Sequence, residues 1–194
     1  MEAQGVDQMA PSKSLTVGPV RNGHGIVAAK PFRQGAVIVE IKGKIVTADE
    51  VWRYWEIDPR RAENCFRYDA DHYLDPHGEI GQYANHSCNP NAGIVRKSRR
   101  LILKAIAPIA AGEELTHDYS TLLGADDVWK MRCNCGASNC RRVVGNIGKL
   151  PIVTMRTYRR LGIIPDFILA TLRGRPGYTA RAGCRRRREV RTTR

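Results

Sequence analysis

A chain of 194 residues has room for one globular domain with a modest appendage, and too little for two independent cores. Its 32 Lys and Arg exceed its 19 Asp and Glu to give a formal +13, yet residues 1–14 are small and polar, with Glu2, Asp7 and a lone Lys13, which argues against a signal peptide. Lys104 interrupts the apolar run 101–111 and Asp166 the later one, so nothing approaches the roughly 18 apolar residues of a membrane span, and a soluble, cytoplasmic protein without a membrane partner is expected.

In chain order, residues 15–20, 25–29 and 36–41 are short runs rich in β-branched residues. They are separated by Asn22-Gly23 and Arg33-Gln34-Gly35 and read as strands joined by tight turns. Thr47-Ala48-Asp49-Glu50 resembles a capping box, a hydroxyl followed three residues later by a carboxylate, and places one short helix over Val51, Trp52 and Trp55. Residues 65–69, 72–74, 93–97 and 101–105 are further strands, the last two joined at Ser98-Arg99-Arg100. Residues 153–161 and 165–172 have helical spacing, with Pro165 at the first position of the second helix. The fold class is therefore mainly β, in small sheets with short C-terminal helices, and no internal repeat is evident.

The charge excess is local. Residues 1–140 carry 17 Lys and Arg against 17 Asp and Glu, whereas residues 141–194 carry 15 against 2. Arg185-Arg186-Arg187-Arg188 lies among Gly174, Pro176, Gly177 and Gly183, a composition that cannot build a core and reads as a disordered basic tail. Of the six cysteines, Cys133-x-Cys135-x4-Cys140 supplies three thiolates within eight residues. A structural zinc site requires four, so one must come from elsewhere, and Cys88 is the best candidate. Tetrahedral sulfur coordination points to zinc ahead of an iron–sulfur cluster, and such usage suits a reducing compartment. Cys65 reads as a buried thiol and Cys184 as an idle one in the tail.

Cys88 lies in Asn85-His86-Ser87-Cys88-Asn89-Pro90-Asn91. Downstream come Gly112-Glu113-Glu114-Leu115-Thr116-His117-Asp118-Tyr119 and then the three cysteines; upstream is Arg21-Asn22-Gly23-His24-Gly25. These four motifs, in this order and over roughly residues 15–145, resemble the SET-domain protein-lysine methyltransferases that carry a post-SET zinc-binding segment. The resemblance implies a SET domain over 15–125, a post-SET segment over 126–145, a helical extension over 146–172 and a basic tail over 173–194. It also implies small curved sheets with a pseudoknot, in which residues 85–91 tuck beneath the loop leading to Tyr119.

By the same resemblance the reaction is transfer of a methyl group from S-adenosylmethionine to a lysine amine, with Tyr119 the orienting catalytic residue, also touching the cofactor. Gly23, His24, Gly25, Asn85 and His86 bind the cofactor, Tyr83 and His117 line the substrate channel, and Cys88, Cys133, Cys135 and Cys140 hold Zn2+. Three positions depart from the family's pattern: His117 stands where it usually has Phe or Tyr, Asn64 or Cys65 where it often has a second channel tyrosine, and Gln82-Tyr83 where it has Arg-Phe. The number of methyl groups added is therefore not carried over. The implied partner is a protein presenting a lysine, whether histone, ribosomal or chromosome-associated, with non-specific nucleic-acid contact through the tail. The arginine run also resembles a nuclear-localisation signal, which leaves nuclear or host-delivered placement open beside the cytoplasmic one. Two other functions compete: a zinc-stabilised nucleic-acid-binding protein, and a cofactor-binding SET scaffold without transfer.

Overall fold

The computed structural model describes residues 14–173; the disordered ends expected at 1–14 and 173–194, with Cys184 and the arginine run, lie outside the described residues except for Ser14 and Arg173. Among the described residues, twelve short strands form five sheets of two or three strands, as expected of small sheets. The hairpin β1 (Leu15–Val20) and β2 (Gly23–Ala28) pairs Val20 with Gly23, so its two-residue turn is Arg21-Asn22 and Gly23 already belongs to the strand, one position earlier than the turn read from the sequence. Strands β3 (Val37–Ile41), β8 (Ala92–Lys97) and β9 (Arg100–Ala105) make an antiparallel sheet in the order β3-β9-β8. Arg100 opens β9 instead of closing the turn, because Lys97 pairs with it across Ser98-Arg99.

A strand absent from the sequence reading, β4 (Lys44–Thr47), joins β6 (His72–Asp75) and β5 (Phe66–Arg67). Helix α1 (Ala48–Ile57) begins where the capping box places it: the Glu50 N–H donates to Thr47 Oγ1 at 3.3 Å and the Thr47 N–H to Glu50 Oε2 at 2.9 Å, satisfying two otherwise orphaned donors. A second helix, α2 (Pro59–Asn64), follows where only one was expected, with Asp58 accepting from the Arg61 N–H and Pro59 in the first turn. Aspartate followed by proline is a start signal in its own right.

The main core lies between β1–β2 and the β3-β9-β8 sheet, around Leu15, Ile26, Ile41, Ile94, Leu101, Leu103 and Leu115, all at most 1% exposed. A second cluster, around Ile147, Tyr158, Ile163 and Ile168, belongs to α3 (Ile152–Leu161), α4 (Asp166–Ala170) and their flanks. Pro165 is the cap of α4, not its first residue. The extension seats on β8 at Gly93, where any Cβ would overlap the Ile163 side chain. The remaining strands are two residues long: β7 (Asn85–His86), β10 (Thr116–His117), β11 (Met131–Arg132) and β12 (Val143–Val144). Short as they are, these four position the site.

Candidate active site

Strands β7 and β10 are parallel, with Thr116 opposite Asn85 and His117 opposite His86. Two residues of ladder are too few to hold by themselves, and side chains complete the joint. Asn91 accepts from the Thr116 N–H at 3.0 Å and donates to the Glu114 carbonyl at 2.8 Å, while the Ser87 N–H reaches the His117 carbonyl at 3.1 Å. The expected docking of residues 85–91 against the segment leading to Tyr119 is thus present. Next to it, β2 runs along the 113–115 segment, with the Leu115 N–H donating to the Ile26 carbonyl at 2.8 Å.

Asn85 turns its amide toward β2, donating to the His24 carbonyl at 2.9 Å and to Glu114 Oε1 at 2.8 Å. The second glycine of the Gly-x-Gly pair exists for this contact. A Cβ at Gly25 would stand 2.6 Å from Glu114 Oε1 and 2.9 Å from Asn85 Nδ2, inside any real van der Waals separation. Gly23 and His24 are exposed beside it. Gly23, His24, Gly25, Asn85 and His86 are therefore brought together, joined by a carboxylate the sequence reading did not single out. An amide and a carboxylate beside exposed backbone suit a ligand carrying ammonium and hydroxyl groups.

Tyr119 begins the short 3-10 turn Tyr119–Leu122. Its ring meets His86 edge-on at 5.3 Å between centroids and His117 at 4.9 Å, and it lines a cavity of about 160 Å³. Trp55, Asn64, Cys65, Phe66, His117 and Trp129 line that cavity with Tyr119. Of the residues around Tyr83, Gln82 and Ala84 line the cavity, whereas Tyr83, expected in the substrate channel, packs against the main core. It closes the 3-10 turn Ile80–Tyr83, so the chain direction there differs from that of a strand. Cys65 is half-buried instead of buried, donating to the Arg61 carbonyl at 3.3 Å.

The Tyr119 hydroxyl donates to the Ala84 carbonyl at 3.1 Å. Burial, then the negative charges of Glu63 and Glu114, push its pKa above the ordinary tyrosine value, so it remains a protonated donor. His117 is 2% exposed, and neither ring nitrogen has a hydrogen-bond partner. Burial, followed by the proximity of His86, lowers its pKa to about 3. For His86, burial outweighs the nearby Asp118 carboxylate and brings the pKa to about 4. His86 Nδ1 accepts the Tyr119 N–H at 3.2 Å, so the 3.7 Å approach of Asp118 Oδ1 is not an ion pair.

Asp118 is the electrostatic centre of the region. Its carboxylate, 0% exposed, takes two 2.7 Å bonds from the Arg141 guanidinium, one of 3.0 Å from the Tyr158 hydroxyl and one of 3.0 Å from the Ser120 N–H. Arg141 follows the cysteines and Tyr158 comes from α3, so one buried charge ties the Tyr119 turn to both. Burial alone would lower the Arg141 pKa; its bonds to Asp118 reverse this and raise it.

The thiols of Cys88, Cys133, Cys135 and Cys140 lie within 4.8 Å of one another, near the sulfur spacing of about 3.8 Å that a tetrahedral ion with bonds of about 2.3 Å imposes. The β11–β12 pair closes the loop that carries three of them. Backbone N–H groups already point at the sulfurs, from Cys88 to Cys135 Sγ at 3.4 Å and from Arg141 to Cys88 Sγ at 3.3 Å. Burial raises the Cys133 thiol, whereas at Cys135 the backbone donors outweigh burial and lower it. This donor set could hold a metal ion. The cluster also reaches the β1–β2 turn, since Arg21 Nε donates to the Asn134 carbonyl at 2.8 Å.

The sequence reading missed Arg21, Glu114, Trp129, Arg141 and Tyr158. Glu114 and Arg21 lay inside quoted motifs, and Arg141 directly follows the last cysteine, so adjacency was the available signal. Tyr158 offered none, being indistinguishable from any amphipathic helix residue.

The SET domain family model matches residues 23–120. Over 127 residues, 61% of this chain, it is 34% identical to "Histone-lysine N-methyltransferase, H3 lysine-4 specific" of Mycosarcoma maydis, of which it covers 9%. It is 35% identical over 135 residues, 63% of this chain, to "Histone-lysine N-methyltransferase ASHH3" of Arabidopsis thaliana, covering 36% of that protein. It is 31% identical over 134 residues, 62% of this chain, to "Probable histone-lysine N-methyltransferase set-23" of Caenorhabditis briggsae, covering 55% of that protein. The chain thus spans little more than half of these relatives at most. With half of its length matched by the family model and the motif segments assembled around Tyr119, the chain belongs to the SET-domain family.

Proposed function

We propose that the protein is a protein-lysine N-methyltransferase that uses S-adenosylmethionine and carries structural zinc. The observation that carries this reading is that Tyr119 lines the aromatic cavity with its ring against both His117 and His86, the strand neighbour of Asn85. S-adenosylmethionine, when bound, supplies a methyl group on a sulfonium, so that one S–C bond breaks as one C–N bond forms and positive charge passes from sulfur to nitrogen. Gly23, His24, Gly25, Asn85 and His86 are the residues to hold it, with Glu114 setting the Asn85 amide.

The acceptor amine has to be neutral and aligned. Neutrality at pH 7 costs a free lysine about 3.4 pKa units, roughly 4–5 kcal/mol, and an apolar channel reduces this by disfavouring the ammonium. Trp55, Phe66 and Trp129 provide such walls. Tyr119, kept protonated, orients rather than removes a proton, and alignment accounts for most of the rate gain. Zinc on the four thiolates would fix the 131–144 loop against the Tyr119 turn and Arg21. The names of the relatives support a histone or another lysine-bearing protein as acceptor.

The test is methyl transfer from isotope-labelled S-adenosylmethionine into a whole-cell protein extract, read by mass spectrometry, with wild type and Tyr119→Phe in parallel. Lysine labelling that falls at least about a hundredfold in the variant is expected. Cofactor binding with no label on any protein would refute the reading and leave a scaffold without transfer.

A further inference from the structure

We infer that His86 is a positioning residue that couples the metal cluster to Tyr119, so that occupancy of the four-cysteine site governs how firmly Tyr119 is held. The inference rests on the function proposed above in taking the cysteines as a zinc site and Tyr119 as the methyl-transfer tyrosine.

The His86 ring carries one proton whose place is fixed by its neighbours. Tyr119 N donates to His86 Nδ1 at 3.2 Å. A peptide N–H has no lone pair to offer, so Nδ1 must be bare, and the single proton of a neutral imidazole sits on Nε2. Nε2 lies 3.3 Å from Cys88 Sγ, and the sulfur is its hydrogen-bond acceptor. The ring is thereby spanned between a metal-site sulfur and the backbone of Tyr119, with its side chain 2% exposed, so no water is needed to complete either contact. The backbone of His86 is held separately in the β7–β10 ladder, which leaves the imidazole free for this role.

Cys88 Sγ receives a second N–H, that of Arg141 at 3.3 Å. The Arg141 guanidinium grips Asp118, the residue preceding Tyr119. Two independent paths therefore lead from one sulfur to one turn of chain. A metal-bound thiolate is anionic and accepts both hydrogen bonds strongly, whereas a neutral thiol is a weak acceptor. Donors beyond the ligands set ligand orientation and metal affinity, and the dependence runs both ways.

Two substitutions separate the two ends of the ring. In His86→Asn the amide oxygen falls near the place of Nδ1 and can still receive the Tyr119 N–H, but nothing donates to Cys88. In His86→Gln the amide nitrogen falls near the place of Nε2 and keeps the sulfur contact while the Tyr119 contact is lost. Zinc affinity, measured on the full chain by chelator competition and by the absorption of the cobalt-substituted protein, is expected to drop at least about tenfold in His86→Asn and to stay within about threefold of wild type in His86→Gln. Equal zinc affinity in wild type and His86→Asn would overturn the inference. A long-range 1H–15N spectrum of the zinc-loaded wild type, which depends on no variant folding, is expected to show His86 as the Nε2–H tautomer; an Nδ1–H tautomer would overturn it equally. Neither readout requires methyl transfer, so a failed transfer assay would remove the proposed function without deciding this point.

Discussion

Replacing His117 with phenylalanine should make the protein more stable and change how its stability depends on pH. Both His117 nitrogens are stripped of water and unpartnered, and an unsatisfied buried polar group costs about 1–3 kcal/mol. Phenylalanine lacks both nitrogens, and the adjoining cavity of about 160 Å³ gives a slightly larger ring room to settle against Phe66, 5.7 Å away between centroids. At pH 7 the variant should gain about 1–3 kcal/mol, and a chain of this size gains about 2–4 °C in Tm per kcal/mol. The folded His117 pKa of about 3 lies below the value of about 6.5 in the unfolded chain. The unfolded state therefore binds more protons between those limits, and stability falls as pH drops from 6.5 toward 3. By pH 4.5 this loss amounts to about 2.7 kcal/mol in wild type, from two pH units at about 1.36 kcal/mol each, and the variant is spared it. Urea unfolding of both proteins at pH 7, 5.5 and 4.5, followed by circular dichroism, measures the difference; contributions from His86 and the cysteines are common to both and cancel. If the two profiles run parallel, His117 is hydrated in solution and the reasoning is refuted.

Other consequences concern the charge at Asp118 and the loops around it. Arg141→Ala leaves a carboxylate that is 0% exposed without its cation, and should destabilise by about 3–5 kcal/mol in urea titrations, with Arg141→Lys recovering only part because the guanidinium binds through two nitrogens. Arg21→Ala removes an exposed contact to the Asn134 carbonyl; Tm should move by less than about 1 °C, while the Kd for S-adenosylmethionine measured by calorimetry rises by up to about tenfold, equivalent to about 1.4 kcal/mol. Gly25→Ala forces apart Asn85 and Glu114 and should abolish measurable cofactor binding in a protein whose circular dichroism is unchanged.

Much of the frame was legible because local signals and tertiary structure agree there. The Thr47–Glu50 box is satisfied by residues three apart, and the β-branched and apolar runs at 15–20 and 101–105, bounded by turn residues, are strands that border the core. The reading stopped where two residues do the work of a strand. At β7, β10, β11 and β12 no periodicity can be expressed, and the pairing is decided by Asn91, Ser87 and the cysteine loop. Strand β4 was hidden for a similar reason, since Lys44, Ile45 and Thr47 are all exposed and Val46 alone is buried. Around the site, motif order singled out the four cysteines that the fold gathers, but the partners of Asp118 could not be read, because a buried carboxylate draws its cation from wherever the chain returns. That Gln82 and Ala84, and not Tyr83, line the cavity could not be read either, because a correspondence between motif positions carries no information about which way a 3-10 turn faces.

The attachment of Asp118 to Tyr158 has a consequence for the order of assembly during synthesis. The two residues are 40 apart, and at about 5–20 residues per second a ribosome needs about 2–8 s to deliver the second after the first. Throughout that interval the aspartate has no helix to receive it, and before Arg141 emerges it has no cation either. A nascent chain can close its β1–β2 hairpin and its β8–β9 pair while the tyrosine turn is still solvated. Tyr119 can accordingly reach its final packing only after the cysteine loop and α3 have left the exit tunnel.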